Sequence, residues 1–221
     1  MQITVLDKGF VSLVDHMGGD ISVVNSARVS FGKRTEELRP RDQKLIKYLW
    51  EHKHSSPFRH ATVQFHIKAP IFVLEQWMKH QVGCSWNRAS LRYIEFDGDF
   101  HQPEFFRKQS KDNKQGSFGE LDLAQELEAQ TIFEKASLDS LAAYHALLDK
   151  GVCKEQARCV LPVSLYTECY WTASLQAVMH FLVLREDSHA QWEIQEYARA
   201  IRELLTPLFP TSLNLGVSNG Q

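Results

Sequence analysis

Alternating apolar and polar residues predict β-strands in the first third of the chain. Ile3 and Val5 alternate with polar neighbours, and Gly18-Gly19 then interrupts the pattern. Residues 62–68 alternate more regularly, as a strand with one buried face does, and Pro70 ends this run. We therefore expect strands at the start of the chain and again just before residue 71.

Apolar residues recurring every three to four positions predict helices elsewhere. Residues 39–54 carry one apolar stripe, and Pro57 prevents a helix from continuing further. A second, shorter helix is expected over residues 71–80. A long amphipathic helix is expected over residues 121–150, with Gly151 as its natural end.

The last third of the chain is predicted to be mainly helical. Residues 154–186 begin a helix, break at Pro162 and resume through an apolar run. The pattern at Ser188–Gln191 is typical of a capping box, and it precedes a helix whose apolar side chains share one face over residues 194–205. The mostly polar residues 107–118 are expected to form an exposed loop, and a turn is expected around Asp97-Gly98.

These elements favour one α/β (α+β) domain over residues 1–221, with a sheet packed against long helices and a helical C-terminal half. The composition agrees, because 43% hydrophobic and 24% charged residues are ordinary for a globular protein that buries a core. The formal net charge of -2 argues against a nucleic-acid or membrane-surface binder. Any site for an anion must therefore be a local patch.

The chain is expected to reside in the cytoplasm. Its first eight residues mix acidic and basic groups and carry no apolar signal-peptide core. The longest apolar run, residues 173–184, is only about 12 residues long and contains Gln176 and His180, so it is not expected to span a bilayer. The four cysteines form no CxxC pair, which fits reduced thiols.

Polar and basic side chains cluster around the end of the helix predicted over residues 71–80. Gln76, Lys79 and His80 have the spacing of one helical face. Ser90 and Arg92 follow, and a hydroxyl and a forked guanidinium are both good donors to phosphate. The group suits a phosphate or a polarised carbonyl. The alternative is a solvated helix end, whose dipole favours basic residues.

Other residues carry weaker chemical signals. The histidines of residues 52–66 lack an acidic partner at helical spacing, so a metal site is not expected. Cys84 has no histidine or aspartate partner identifiable by spacing, and a lone cysteine is usually a small buried hydrophobe. Arg158 and Arg185 do not by themselves indicate a binding site, because an arginine at the end of an apolar helix is more often a surface residue than a ligand-binding group. Because the chain has no glycine-rich phosphate loop, side chains and helix ends would have to hold any nucleotide.

Five ordered blocks give the sequence an identifiable resemblance. They are "SARVSFGK" (26–33), "HSSPFRHATVQFHIKAPIFV" (54–73), "NRASLRY" (87–93), "EQARCVLP" (155–162) and "LREDSHAQWEIQ" (184–195). In these blocks, over nearly the whole chain, the sequence resembles the flavin-dependent thymidylate synthases. The resemblance implies a single α/β domain that assembles as a homotetramer, with each active site built from several subunits.

The resemblance also implies a reaction. Such enzymes methylate dUMP at C5 of the uracil, using FAD, methylenetetrahydrofolate and NADPH, and reduced flavin supplies the hydride. No enzyme cysteine attacks the base in this family, which agrees with the weak case for Cys84. The protein would hold flavin and nucleotide together and away from water, since the cofactor carries the hydride chemistry.

The resemblance assigns site residues position by position. Catalytic roles are implied for Arg185, His80 and Ser90, where Arg185 would stabilise negative charge on the base oxygens. The positions implied for dUMP are Gln76, Lys79, Arg88, Ala89, Ser90, Leu91, Arg92, Arg158 and Arg185. The positions implied for the flavin are His54, Ser56, Arg59, Lys79, His80, Gln81, Val82, Ser174, Gln176 and His180.

The chain departs from the family signature in the same region. The usual Arg-His-Arg is here Lys79-His80-Gln81, and the loop to Ser90 is one residue longer. Arginine stands at 59 and 88, where the family usually has glutamate. Our hypothesis is that cationic charge has moved along the loop and has not left the pocket. The alternatives are hydroxymethylation, methylation of another pyrimidine nucleotide, and a non-catalytic flavin- or nucleotide-binding homologue.

Overall fold

The computed structural model describes residues 1–96, 98–114 and 116–215. The turn predicted around Asp97 therefore falls outside the described residues. The strands are β1 (Gln2–Val5), β2 (Gly9–Met17), β3 (Thr62–Pro70), β4 (Cys84–Arg88), β5 (Arg107–Gln109), β6 (Ser117–Glu120) and β7 (Tyr166–Ser174). The helices are α1 (Asp20–Arg28), α2 (Pro40–Glu51), α3 (Ile71–Trp77), α4 (Leu123–Asp149), α5 (Lys154–Ala157), α6 (Leu175–Arg185), α7 (Trp192–Leu205) and α8 (Pro210–Leu213).

Five antiparallel strands form the main sheet in the order β1-β2-β3-β7-β4. The long central strands β3 and β7 pair along their whole length, with Phe65 opposite Trp171. The edge strand β4 places Trp86 opposite that same tryptophan. A separate two-stranded sheet consists of β5 and β6. The mixed α/β architecture predicted from the sequence is confirmed.

One large apolar core lies between the sheet and the helices. Alternate residues of β3 and β7 are buried in it, together with most of the inner face of α7. Its centre is aromatic, because the ring centroid of Trp77 lies 4.7 Å from that of Phe181 and 5.2 Å from that of Trp171. Burial of such large rings dominates core stability. A smaller core under α4 contains Phe96, Phe100 and Tyr144.

A partly buried polar cluster joins the β1–β2 turn to the start of β7. The carboxylate of Asp7 accepts hydrogen bonds from His101 at 2.5 Å and from the hydroxyl of Tyr166 at 2.6 Å. Burial raises the pKa of Asp7, but these hydrogen bonds outweigh it and lower that pKa to about 2. The carboxylate is therefore ionised at neutral pH and holds three separate segments together.

The helix predicted through residues 154–186 is wrong in its middle. Only α5 and a short 3-10 turn form before Pro162, and the strand β7 occupies Tyr166–Ser174 before α6 begins. In β7, Cys169, Trp171 and Ala173 are buried while their neighbours are more exposed, which is the period of a strand. The apolar residues on both sides of that strand concealed the alternation.

Three local predictions also need correction. The helix α3 ends at Trp77, so Lys79 and His80 do not lie on it. The strand β4 follows Gly83, where no strand is predicted, and the region 107–118, expected to be an exposed loop, contains parts of the β5–β6 hairpin. The capping box at Ser188 is wrong because α7 begins at Trp192.

Other predictions are confirmed. Strands form at Gln2–Val5 and Thr62–Pro70, and helices form at Pro40–Glu51 and Leu123–Asp149. Gly151 follows the long helix with φ of 80°, a left-handed conformation that favours glycine. Among the described residues, no helix combines the length and the apolar character that crossing a membrane requires.

Candidate functional site

Arg185 is held by groups from the end of α3. It is the last residue of α6 and is half-buried. Its Nε donates to Nε2 of His80 at 3.0 Å, and its Nη2 donates to the backbone carbonyl of Gln76 at 3.0 Å. These two hydrogen bonds fix the plane of the guanidinium, so Nη1 remains to face a ligand.

His80 is neutral at physiological pH. Burial, together with the charges of Arg185 and of the nearby His180 side chain, lowers the pKa of His80 to about 4. Because Nε2 accepts the hydrogen bond from Arg185, the single ring proton must reside on Nδ1. His80 therefore presents a donor on the side of the ring away from the arginine.

A cavity of about 400 Å³ lies at the other end of β4. The segment that leaves β4 is tied to β7, because the amide of Ala89 donates to the carbonyl of Glu168 at 2.8 Å. The start of α3 forms another wall, where the amide of Ile71 donates to the carbonyl of Leu165 at 3.0 Å. The predicted site residues that line this cavity are Arg88, Ala89, Ser90, Leu91 and Arg158.

Glu155 connects two of the predicted arginines beside this cavity. Its carboxylate pairs with Arg92 at 3.1 Å, and each of the two side chains is 53% exposed. Its backbone carbonyl accepts from Nε of Arg158 at 3.3 Å. Arg92 and Arg158 are thus neighbours in space although they lie 66 positions apart in sequence. A pair this exposed stabilises the fold little and leaves Arg92 available to another anion.

A second polar group lies near the start of α6. Arg59 donates from Nε to the side-chain oxygen of Gln176 at 2.5 Å. Partial burial, and then the charge of Arg59, lower the pKa of His180, which is an exposed residue of α6. Ser174 caps α6 by accepting from the amide of Ala177 at 3.3 Å. Several donors and acceptors therefore surround the start of this helix.

The turn before β4 brings this group close to His80. The amide of Ser174 donates to the carbonyl of Gly83 at 2.9 Å. Gly83 has φ of 75°, and a Cβ at this position would lie 2.7 Å from the Ser174 hydroxyl oxygen. Only glycine fits so close an approach in this conformation. The adjacent Val82 is 83% exposed, which leaves an apolar surface beside the polar groups.

The remaining predicted residues are more peripheral within one chain. Lys79 and Gln81 are exposed, and so is Ser56 at the start of a 3-10 turn whose middle residues are buried. His54 is exposed, and its ring lies 6.1 Å from that of Tyr48. The helix α3 separates the two main groups, because Ile71 lines the cavity and Gln76 lies beside Arg185. Five residues of α-helix span about 7.5 Å.

Two further residues belong to these groups although spacing alone did not identify them. The first is Glu155, described above. The second is Gln191, whose side-chain oxygen accepts from Nε2 of Gln76 at 2.6 Å. Both lie inside blocks that carried the family resemblance, "EQARCVLP" and "LREDSHAQWEIQ". The family blocks are therefore the sequence feature that could have pointed to these two residues, but the blocks do not indicate which of their residues contact each other in the fold.

Cys84 has the environment of an unreactive thiol. It is half-buried at the start of β4, and burial raises the pKa of its thiol, while a hydrogen bond involving Trp171 offsets only part of that effect. Within the ranges that the structure describes, no group of three or more histidine, cysteine or acidic side chains is arranged to hold a metal ion.

The donor set around α6 fits a flavin. A flat ring with polar edges needs an apolar surface and donors at its rim. The exposed side chain of Val82 offers the surface, and the Nδ1 proton of His80, Arg59 and Gln176 offer polar contacts. The structure therefore provides groups of the right chemistry on both sides of the turn at Gly83.

Comparison with known proteins identifies relatives over most of the chain. Residues 12–211 match the family described as "Thymidylate synthase complementing protein". The flavin-dependent thymidylate synthase of Thermus thermophilus is 49% identical over 210 residues, which cover 95% of this chain and 76% of the relative. The corresponding protein of Thermosipho melanesiensis is 46% identical over 212 residues, covering 95% and 91%.

A solved structure agrees with these sequence relatives. It is a UMP/dUMP methylase from Streptomyces cacaoi bound with 5-Br dUMP. It superimposes with a TM-score of 0.84 at 32% identity and covers 99% of this chain and 98% of that chain.

Proposed function

The chain belongs to the flavin-dependent thymidylate synthase family, and we propose that it converts dUMP to dTMP with methylenetetrahydrofolate as carbon donor and NADPH as reductant. Membership makes it an enzyme of the methyltransferase type. In our proposal the whole chain acts as one catalytic domain. Its FAD supplies the hydride when bound, and no cysteine of the protein attacks the base.

The cavity beside β4 is the observation that carries the proposal. Its volume of about 400 Å³ is in the range of small-molecule sites, which is roughly 300–1,000 Å³. Arg88 and Arg158 line it, and Arg92 lies alongside. Guanidinium groups bind phosphate through paired N–H donors. We assign the phosphate of dUMP to these arginines and to Ser90, and its sugar to the backbone near Ala89 and Leu91.

Arg185 takes the electrostatic role in this proposal. Its guanidinium is oriented before substrate arrives, because His80 and the Gln76 carbonyl already bind two of its nitrogens. A positive charge that needs no rearrangement is well suited to stabilise negative charge developing on the uracil oxygens. Lys79 and the Gln76 side chain would contact the nucleotide from the same side.

The second polar group would hold FAD. His54, Ser56, Arg59 and Gln81 would contact the cofactor from one wall, with Val82 against the ring. Ser174, Gln176 and His180 would contact it from the other wall. His80 would lie between the two sites, accepting from Arg185 through Nε2 and offering its Nδ1 proton to the cofactor. The protein thus binds and orients the cofactor and excludes water from it.

We further propose that the enzyme works as a homotetramer in the cytoplasm. Within one chain, the arginines around the cavity and Arg185 lie at opposite ends of α3. A site that needs both groups around one nucleotide is then completed by a neighbouring subunit. Size-exclusion chromatography with light scattering measures this state directly, and a monomer that retains full activity would contradict it.

A second substrate has a specific argument in its favour. The structural neighbour from Streptomyces cacaoi is named for both UMP and dUMP. Methylation of UMP is therefore the alternative to methylation of dUMP in this chain. The two substrates differ by one hydroxyl group on the sugar, so the same arginines would bind either phosphate.

One experiment tests the proposal. The protein is incubated with FAD, NADPH, methylenetetrahydrofolate and either dUMP or UMP, and the nucleotide product is weighed by mass spectrometry. We expect a methyl group on dUMP and no product when FAD, folate or reductant is omitted. A hydroxymethyl product, or a methyl group on UMP alone, would replace the proposed reaction. Failure to bind both FAD and dUMP would contradict it.

A further inference from the structure

Glu155 is the only acidic side chain that the described residues place in an ion pair with an arginine of the nucleotide cavity region. Its carboxylate pairs with Arg92, and its backbone is contacted by Arg158. With Arg88, three guanidinium groups and one carboxylate meet here, which leaves two net positive charges. Glu155 therefore lowers the net positive charge of the site below that of its three arginines.

That net charge matches one kind of ligand. A phosphate monoester carries a charge of about -1.5 to -2 at neutral pH. A diphosphate or triphosphate carries more negative charge and would draw Arg92 toward its additional groups. A fixed carboxylate next to Arg92 opposes this, because it repels further phosphates and already neutralises one guanidinium.

We propose that Glu155 is a specificity-determining residue that restricts the site to nucleoside monophosphates. The inference rests on the proposed function, because it assumes that the cavity takes the phosphate of dUMP. Glu155 acts through its negative charge on Arg92 and on the incoming anion. It need not touch the base or take part in the transfer of the methyl group.

The geometry permits this role without a cost to folding. The carboxylate and the guanidinium of Arg92 are both about half exposed, so an anion can reach Arg92 and the pair can open. Glu155 belongs to the short helix α5, whose buried residue is Ala157. Replacing the exposed carboxylate by an amide of the same size keeps that packing.

The test compares Glu155→Gln with the wild-type protein, both loaded with FAD. Isothermal titration calorimetry gives the Kd values for dUMP, dUDP and dUTP. We expect the amide variant to gain about five- to tenfold more affinity for dUTP than for dUMP, as the loss of one nearby charge repulsion predicts. The gain should shrink at high salt, because exposed charges are screened.

Two control variants separate this role from a structural one. Glu95 pairs with Lys154 at 3.2 Å and, among the described residues, forms no ion pair with the three arginines, so Glu95→Gln should leave the ratio of the three Kd values unchanged. Glu155→Asp keeps the charge and should keep a ratio close to that of the wild type. It also provides a folded comparison that does not depend on the amide variant.

The outcomes are distinguishable. If the wild type binds dUMP normally and Glu155→Gln leaves the dUTP-to-dUMP ratio unchanged, the inference is wrong and the proposed function stands. A uniform loss of affinity for all three nucleotides would also overturn it, since it would make Glu155 a support for Arg92 only. If the wild type does not bind dUMP at all, the proposed function fails first.

Discussion

Arg185 and His80 form a hydrogen bond of 3.0 Å between Nε of the arginine and Nε2 of the histidine, across 105 positions of sequence. The bond requires a neutral imidazole, and the low pKa of His80 provides one. The charge thus stays on the arginine, and the histidine serves as its acceptor. The last residue of α6 is in this way positioned by the segment that follows α3.

Arg185→Lys should strongly reduce turnover. Lysine keeps the positive charge but lacks the planar fork that bonds His80 and Gln76 together. We expect kcat to fall by about 10²-fold, the usual effect of removing one oriented electrostatic donor. Steady-state kinetics with dUMP measure this, with Arg41→Lys as the control because Arg41 is a largely exposed arginine. A near-normal kcat in Arg185→Lys would show that the oriented guanidinium of Arg185 is not needed for the reaction.

His80 should make stability depend on pH. Its pKa in the folded protein is about 4, below the ordinary value of 6.5. Between these two values the unfolded chain binds a proton at this position and the folded chain does not, so stability is lost as the pH falls through that window. Urea unfolding measures the free energy of unfolding at pH 7 and pH 5. Between these two pH values, that free energy should fall less for His80→Gln than for the wild type.

A matched histidine variant makes this measurement specific. The side chain of His189 is 80% exposed, and His189→Gln should leave the pH dependence close to that of the wild type. If the free energy of unfolding changes equally with pH in the wild type and in His80→Gln, His80 is not the cause of the pH dependence.

Cys84→Ala should retain activity within about twofold, because a thiol whose pKa is raised is protonated and a poor nucleophile. The same kinetic assay detects the difference. Loss of nearly all activity in a folded variant would overturn the mechanism without an enzyme cysteine. A parallel Cys159→Ala variant reports on the thiol that lines the proposed nucleotide cavity.

Arg59 and Arg88, which stand where the family usually has glutamate, should each contribute to the binding of one ligand. Arg59 lies by Gln176 and His180, whereas Arg88 lines the cavity. We expect Arg59→Glu to weaken FAD binding and Arg88→Glu to weaken dUMP binding, each by about tenfold, as reversal of an exposed charge next to a ligand predicts. Fluorescence titration with FAD and calorimetry with dUMP measure the two affinities. If neither changes, the hypothesis of relocated charge is wrong.

Asp7→Asn should destabilise the fold and leave the site chemistry unchanged. The carboxylate binds His101 and Tyr166, and an amide cannot accept from both in the same way. We expect a loss of about 1–3 kcal/mol, the cost of leaving buried polar groups poorly paired. Chemical denaturation measures it at pH 7. In the wild type, this contribution should persist at neutral pH and disappear as the pH falls from 3.8 through about 2.

The sequence was most informative where a pattern is local. Residues 62–68 alternate cleanly, and the strand is there; the long helix α4 ends at Gly151 as its glycine indicates. It failed at β7, because that strand's neighbours are apolar on both sides and periodicity alone does not separate strand from helix in such a run.

The site shows the same division. The resemblance supplied the residue types, including Arg88, Ser90 and Arg158, which do line one cavity. It did not supply contacts such as that of Arg185 with His80, or the pairing of Arg92 with Glu155, because both depend on how distant segments pack. A helix extending to His80 would place Gln76, Lys79 and His80 on one face. The helix α3 ends at Trp77, so these residues do not share a helical face.

The strand β4 sets the separation of the two sites. It runs for five residues from the turn at Gly83 to Arg88, at about 3.3 Å per residue, and β7 holds it in register. An inserted residue inside β4 would turn every later side chain to the opposite face of the sheet. Changes in loop length are thus confined to the two ends of the strand, and the strand itself acts as a spacer of fixed length between the sites that we propose for cofactor and substrate.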